Sequence, residues 1–160
     1  MTLVIDLLRH GDAAPANGGS DAARRLTERG RADVTLVAGQ LALGPKPARI
    51  FSSPLIRARE TADLVADRLA SPPAVERLDA LSPESEPEAV IEALIEQGVE
   101  SGHVLMVGHQ PLLGRLAEHL TGSEPALPPA TLVRITCERI PTLNAGRLER
   151  TWSPAALRKP

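Results

Sequence analysis

Aromatic side chains are nearly absent from this chain, which has one phenylalanine, one tryptophan and no tyrosine. Phe51 and Trp152 cannot supply the row of stacking platforms on which single-stranded nucleic acid is held, and the core must be built from leucine, valine, isoleucine and alanine. Cysteine occurs once, as Cys137, so no intrachain disulfide can form. Lys46 and Lys159 are the only lysines, a bias toward arginine from which no function is drawn. No apolar run reaches membrane-spanning length, and the chain opens directly into a strand pattern with no basic-then-apolar leader. A formal net charge of −2 sets up no global field for nucleic acid or an acidic membrane. These absences leave a cytoplasmic enzyme as the default, with no nucleic-acid or membrane partner.

What is present fits an ordinary globular domain. The 160 residues, 42% hydrophobic and 24% charged, suffice for one domain spanning 1–160 with a real core. Leu3–Leu8 reads as a buried strand, interrupted by Asp6, for which the sequence alone gives no reason. A Gly/Ala/Ser loop follows from Gly11 to about Asp21. Thr27 caps a helix running to about Leu43, stopped by Gly44-Pro45. Ile50–Ser52 is a short second strand, after which Ser53-Pro54 starts a helix with serine as its cap and proline in its first turn. A third strand lies near Val75–Leu78 and a helix runs from Pro87 to before Gly98. Val104–Val107 is a fourth buried strand, Pro111 opens a helix ending at Gly122, and Leu132–Cys137 and Arg147–Trp152 are two final strands. Strands alternating with helices predict a three-layer α/β/α sandwich around a mainly parallel sheet. No unclaimed amphipathic stripe sets an oligomeric state, and a monomer or weak dimer is expected.

Charge is unevenly spread. Arg9, Arg24, Arg25, Arg29, Arg31, Arg57 and Arg59 all lie in the first sixty residues. Most belong on solvated helix faces, but a subset can converge on an anion.

Two histidines occupy equivalent places. His10 and His109 each follow a buried strand beside a glycine, where open parallel sheets bind ligands. If their strands are neighbours, both imidazoles face one pocket. Arg57, near the start of the helix after Pro54, joins them, and that helix N-terminus favours an oxyanion. The resulting set is Arg9, His10, Arg57 and His109. Two guanidiniums hold phosphate oxygens by paired hydrogen bonds, and a neutral imidazole is a nucleophile at neutral pH. Phosphoryl transfer needs mainly positioning and charge stabilisation, here from two arginines and a second, protonated histidine. No carboxylate cluster is offered for magnesium, and a metal on His10 and His109 would lack a third ligand, so no cofactor is called for. His103 and His119 read as structural.

Three segments, LLRHGDAA, SSPLIRARETA and VGHQPLLGRLAEHL, together resemble the histidine phosphatase superfamily, the phosphoglycerate-mutase-like fold. The Arg9-His10-Gly11 triplet matches its first motif, Ser53 to Ala62 its second and Gly108-His109 its third, over roughly residues 3–120. Within the superfamily, the RHGDAA segment, Arg24 to Gly30 and GHQPLL are most similar to the short bacterial SixA-type phosphohistidine phosphatases. The resemblance implies that His10 attacks phosphorus, that Arg9, Arg57 and His109 bind the phosphoryl group, and that water hydrolyses the intermediate. Gly11 would let the backbone turn close to the phosphate. Arg24 would line the pocket mouth, or else form a surface salt bridge.

Relatives acting on phosphate esters carry a glutamate proton donor after the third strand, where this chain has Leu78-Asp79-Ala80-Leu81. Ala80 holds that position, leaving Asp79, Glu84 and Glu86 as substitutes. A sugar alkoxide benefits from general-acid help worth roughly 10²–10⁴-fold, whereas a phosphohistidine leaves as neutral imidazole. The stretch between Ala62 and His109 is taken up by scaffold elements, with no lid insertion to enclose a small metabolite. The expectation is a metal-independent phosphohistidine phosphatase acting on a phosphorylated protein, such as a histidine phosphotransfer domain or a phosphotransferase-system carrier. A small-metabolite phosphomonoesterase or mutase is the enzyme alternative, and a non-catalytic phosphoprotein-binding module the alternative of another class.

Overall fold

The computed structural model describes residues 2–138 and 143–160. Its elements are β1 (Leu3–Arg9), α1 (Glu28–Leu41), β2 (Arg49–Ser52), α2 (Ile56–Arg68), β3 (Val75–Arg77), α3 (Pro87–Glu96), β4 (Gly102–Gly108), α4 (Leu112–Thr121), β5 (Leu132–Cys137), β6 (Gly146–Trp152) and α5 (Pro154–Leu157). They form one six-stranded sheet in the order β3-β2-β4-β1-β5-β6. The four strands from β3 to β1 run parallel, and β5 and β6 add two antiparallel pairings beyond β1.

Alternation along β1 produces the layers. Leu3, Ile5 and Leu7 pack with Phe51, Val104 and Met106 under α3 and α4. Leu8 packs with Ile50, Leu105 and Val107 under α1 and α2. The central strands β1 and β4 are covered on both faces and so tolerate continuous apolar runs, whereas the edge strand β6 is largely exposed. The expected three-layer sandwich is the architecture observed.

The register places the site. β1 and β4 are direct neighbours, with Arg9 opposite Gly108, and β2 pairs Ser52 with Val107 on the other edge of β4. His10, His109 and Ser53 therefore leave three adjacent parallel strands at the same end. Thr27 caps α1 as expected, accepting from the Gly30 amide at 3.0 Å.

Helix α2 departs from expectation. It begins at Ile56, with Leu55 in the cap position and no side-chain cap, so Ser53 is not its N-cap. The Ser53 hydroxyl lies 2.7 Å from His109 Nε2 and accepts only a turn bond from the Leu55 amide at 3.1 Å. The short helix α5, capped by Ser153, was not expected either. Asp79 opens a short 3₁₀ turn, Asp79–Leu81, rather than continuing β3.

Candidate active site

β1 delivers the first two residues. Arg9 is the last residue of the strand, and its main-chain N–H bonds Thr131 O at 3.1 Å. Its Nη1 donates to Leu127 O at 3.0 Å, while its buried Nε has no partner among the described residues. Burial lowers the Arg9 pKa from its ordinary value, a cost that an anionic ligand would offset.

His10 comes next, held by main-chain bonds to Gly108 and Ala130. Its Nδ1 lies 2.7 Å from Gly11 O. A carbonyl can only accept, so Nδ1 carries the proton and Nε2 keeps its lone pair. Arg57 Nε donates toward that lone pair at 3.4 Å. Burial is the main reason the His10 pKa falls to about 4, and the charges of Arg57, Arg9 and Arg24 push the same way. The imidazole is thus neutral at pH 7, as a nucleophile requires.

Gly11 is closely packed behind the strand end. Its amide is committed to Thr61 Oγ1 at 3.2 Å, and a Cβ there would meet Gly30 O at 2.8 Å and Val34 Cγ2 at 2.9 Å. The glycine is needed because the start of α1 packs directly against the strand end. Thr61, one turn after Arg57, returns its hydroxyl hydrogen to Arg57 O at 2.8 Å, tying the second motif to the first.

Arg57 lies in the first turn of α2 and is 5% exposed. Nη1 donates to Asp21 O at 2.8 Å and Nη2 to Asp21 Oδ2 at 3.1 Å. His109 follows β4, with its ring centroid 5.0 Å from that of His10. Its Nε2 meets the Ser53 hydroxyl, and its buried Nδ1 has no partner among the described residues. Burial first, then the neighbouring His10 and Arg57, lower its pKa to about 3. Burial and the neighbouring charges thus favour the neutral ring. Buried beside two guanidiniums, it would gain a proton only when a phosphoryl dianion supplies compensating charge.

The structure thus brings Arg9, His10, Arg57 and His109 together at three strand ends. Arg24 makes its hydrogen bonds to the loop and to Asp21, the latter being the salt bridge that is the second expectation for it. It donates to Ala14 O at 2.7 Å, Ala13 O at 3.4 Å and Asp21 Oδ1 at 3.2 Å, and so it rivets the loop between β1 and α1. The other early arginines are spent elsewhere. Arg25 and Arg31 converge on Glu60, Arg29 faces Asp33 and Arg59 faces Asp63. His103 pairs with Asp6, and His119 lies 3.8 Å from Glu88.

None of the substitute acids is drawn into the cluster. Asp79 pairs with Arg77 at 2.6 Å, and Glu84 and Glu86 are exposed. Ala80 packs against the core. The carboxylate hydrogen-bonded to the cluster is Asp21, held below the usual carboxylate range by Arg24 first and then by Arg57. Asp21, Ser53 and Thr61 are the site's neighbours that sequence reasoning missed. Asp21 had a signal, since it stands three residues before Arg24 in a loop with few other charges. Among the described residues no three His, Cys, Asp or Glu side chains group as a metal site, and no helix is long and apolar enough to cross a membrane.

Comparison with known proteins agrees with this geometry. Residues 5–82 match the model of the histidine phosphatase superfamily, branch 1. The phosphohistidine phosphatase SixA of Escherichia coli K12 is 37% identical over 125 residues, 75% of each chain. A solved structure of the protein histidine phosphatase SixA complexed with tungstate superposes with a TM-score of 0.85 at 29% identity, covering 97% of this chain and 99% of that one. A phosphoserine phosphatase from Entamoeba histolytica, at 16% identity and a TM-score of 0.69 over 94% of this chain and 97% of its own, shares the fold alone. By sequence identity and coverage, this chain belongs to the histidine phosphatase superfamily.

Proposed function

We propose that this protein is a phosphohistidine phosphatase that removes phosphate from a phosphorylated protein through a phosphoenzyme on His10, residues 1–160 working as one cytoplasmic domain. The observation that carries the reading is the His10 ring itself. Its proton is fixed on Nδ1 by Gly11 O, and its free Nε2 lies under the Arg57 Nε–H.

The reaction balances without a general acid. In the first step the P–N bond of the substrate breaks as a P–N bond to His10 Nε2 forms. The substrate imidazole, carrying a proton on its other nitrogen, leaves neutral. In the second step water attacks phosphorus, the P–Nε2 bond breaks, His10 leaves as neutral imidazole with its proton still on Nδ1, and both hydrogens of the water depart with the product as dihydrogen phosphate. Arg9, Arg57 and His109 hold the equatorial oxygens throughout. Both leaving groups are imidazoles, which explains a site whose bonded carboxylate, Asp21, is held ionised and is a poor proton donor.

Access supports a protein substrate. Residues between Ala62 and His109 are used by α2, β3, α3 and β4, leaving no lid. With no such lid over it, an imidazole projecting from another protein's surface can approach His10, which keeps 9% of its surface exposed.

The test compares phosphate release, without added metal, from a histidine-phosphorylated phosphotransfer domain and from a sugar phosphate. Fast release from the first that His10→Ala abolishes is the expected result. Preference for the sugar phosphate would make the protein a small-ester phosphatase. Stoichiometric binding of the phosphoprotein without release would make it a binding module.

A further inference from the structure

Arg57 has two donor edges. The end edge is formed by Nη1 and Nη2, the side edge by Nε and Nη2. Asp21 occupies the end edge, its main-chain oxygen on Nη1 and its Oδ2 on Nη2. The side edge is left with the Nε–H directed at His10 Nε2 and the second Nη2 hydrogen beside it. That is the fork two phosphoryl oxygens would meet on a phosphorus bonded to Nε2.

We propose that Asp21 is a positioning residue for phosphoryl transfer: its bonds to the end edge of Arg57 keep the side edge aimed at the phosphoryl group on His10. The inference rests on the phosphatase reading above, in which Arg57 holds phosphoryl oxygens. Asp21 does not touch the reacting atoms and acts through Arg57.

Three observations carry it. The guanidinium is buried, and its side-chain and main-chain acceptors among the described residues are Asp21 and His10 alone. Without the Asp21 carboxylate, the Nη2 N–H on the end edge would lose its acceptor, leaving only the Nη1 bond to the main-chain oxygen of residue 21, and the side chain would turn to find another. Asp21 is itself held. Its other oxygen accepts from Arg24, which is anchored to Ala13 and Ala14. The loop is pinned further by the Ala14 N–H to Arg25 O bond at 2.8 Å and the Ala13–Leu26 bridge. The chain therefore builds a relay of aim, from the loop through Arg24 and Asp21 to Arg57. Asp21 is also an exposed side chain with no part in the core, so its replacement leaves packing intact.

The experiment measures two things on wild type, Asp21→Asn and Asp21→Ala. One is kcat and KM for a histidine-phosphorylated phosphotransfer domain, and the other is tungstate affinity by calorimetry. Asparagine keeps a side-chain acceptor and removes the charge, whereas alanine removes both and leaves only the main-chain oxygen on Nη1. Since misplacing a catalytic group by about 1 Å can cost 10²-fold, Asp21→Ala is expected to lose between about tenfold and 10²-fold in kcat. KM stays near wild type, Asp21→Asn recovers most of the rate, and tungstate binds more weakly to the alanine variant than to the asparagine one. Equal loss in both variants would show that the charge matters and not the aim, which overturns the proposal. Wild-type behaviour of Asp21→Ala overturns it as well. Tighter tungstate binding and faster turnover in both would make Asp21 a repulsive gate instead. If the wild type fails to release phosphate from phosphohistidine, the functional reading falls, while the tungstate comparison still decides the part of Asp21.

Discussion

Ser53 Oγ and His109 Nε2 lie 2.7 Å apart in a buried contact, and the direction of that bond follows from what else the serine does. Its oxygen accepts the Leu55 N–H. If His109 Nε2 also donated to it, the serine hydrogen would have no acceptor in a buried place. With the serine donating, its oxygen and hydrogen and His109 Nε2 are all used, and the imidazole proton sits on Nδ1, the one ring nitrogen without a partner among the described residues. His109 then presents an N–H to an incoming oxyanion at no cost in tautomer change. Nitrogen-15 spectra of the ring are expected to show Nδ1 protonated in the wild type. In Ser53→Ala they should show a tautomer mixture, with about 1–3 kcal/mol of stability lost. An Nε2-protonated wild type would reverse the assignment.

The two histidines also set a pH dependence. Both folded pKa values, about 4 for His10 and about 3 for His109, lie below the unfolded value of about 6.5. Between these limits the unfolded chain binds more protons, so stability is fully present above about pH 6.5 and is lost as pH falls toward 4. Urea midpoints should drop from pH 7.5 to 5. A variant carrying His10→Gln and His109→Gln should drop less over the same interval, and an equal fall in both proteins would deny the histidines this part.

Glycine at 11 and 30 is a packing requirement. A Cβ on Gly30 would run into Asp12 O and approach Asp12 N to 2.9 Å, and one on Gly11 would strike Gly30 O. Backbone atoms cannot swing aside as a side-chain tip can. Gly30→Ala should therefore cost about 1–3 kcal/mol and lower phosphatase activity, although residue 30 is far from His10 in sequence. Denaturant unfolding and turnover check the two effects. An alanine variant with native stability and turnover would mean that the loop shifts freely and that the contact is incidental.

Much of this was legible in the sequence because it was written in short range. Apolar runs ending in R-H-G and G-H mark strand ends, and the Thr27 cap is a local signal. What escaped notice depends on approach through space. Ser53 looked like a helix cap because Ser-Pro usually starts a helix, and the tertiary bond to His109 overrode that preference. Asp79, Glu84 and Glu86 drew attention as acids by position after β3, whereas the carboxylate bonded to the cluster comes from the loop after β1. The lowering of the His109 pKa was not legible either, since it depends on burial and on the neighbouring His10 and Arg57.

Asp6 shows the same limit most clearly. In sequence it is an unexplained charge in an apolar strand. In the fold its side chain is fully buried, opposite Arg134 across the β1–β5 pairing. Oδ1 and Oδ2 accept from Arg134 Nε at 2.8 Å and Nη2 at 3.0 Å, and Oδ2 also meets His103 Nε2 at 2.5 Å. The Arg134 guanidinium lies 5.1 Å from the Trp152 ring centroid, so one charged knot links β4, β1, β5 and β6. A buried pair of this kind is costly to break from one side, because the remaining charge is left without a partner. Asp6→Ala should cost about 3–5 kcal/mol, and Arg134→Ala a comparable amount. Replacing both with apolar residues of similar volume should recover most of the loss, because neither charge is then stranded. Denaturant unfolding of the two single variants and the double one measures the coupling. Strict additivity would show that the knot is no knot and that each residue contributes through its own packing alone.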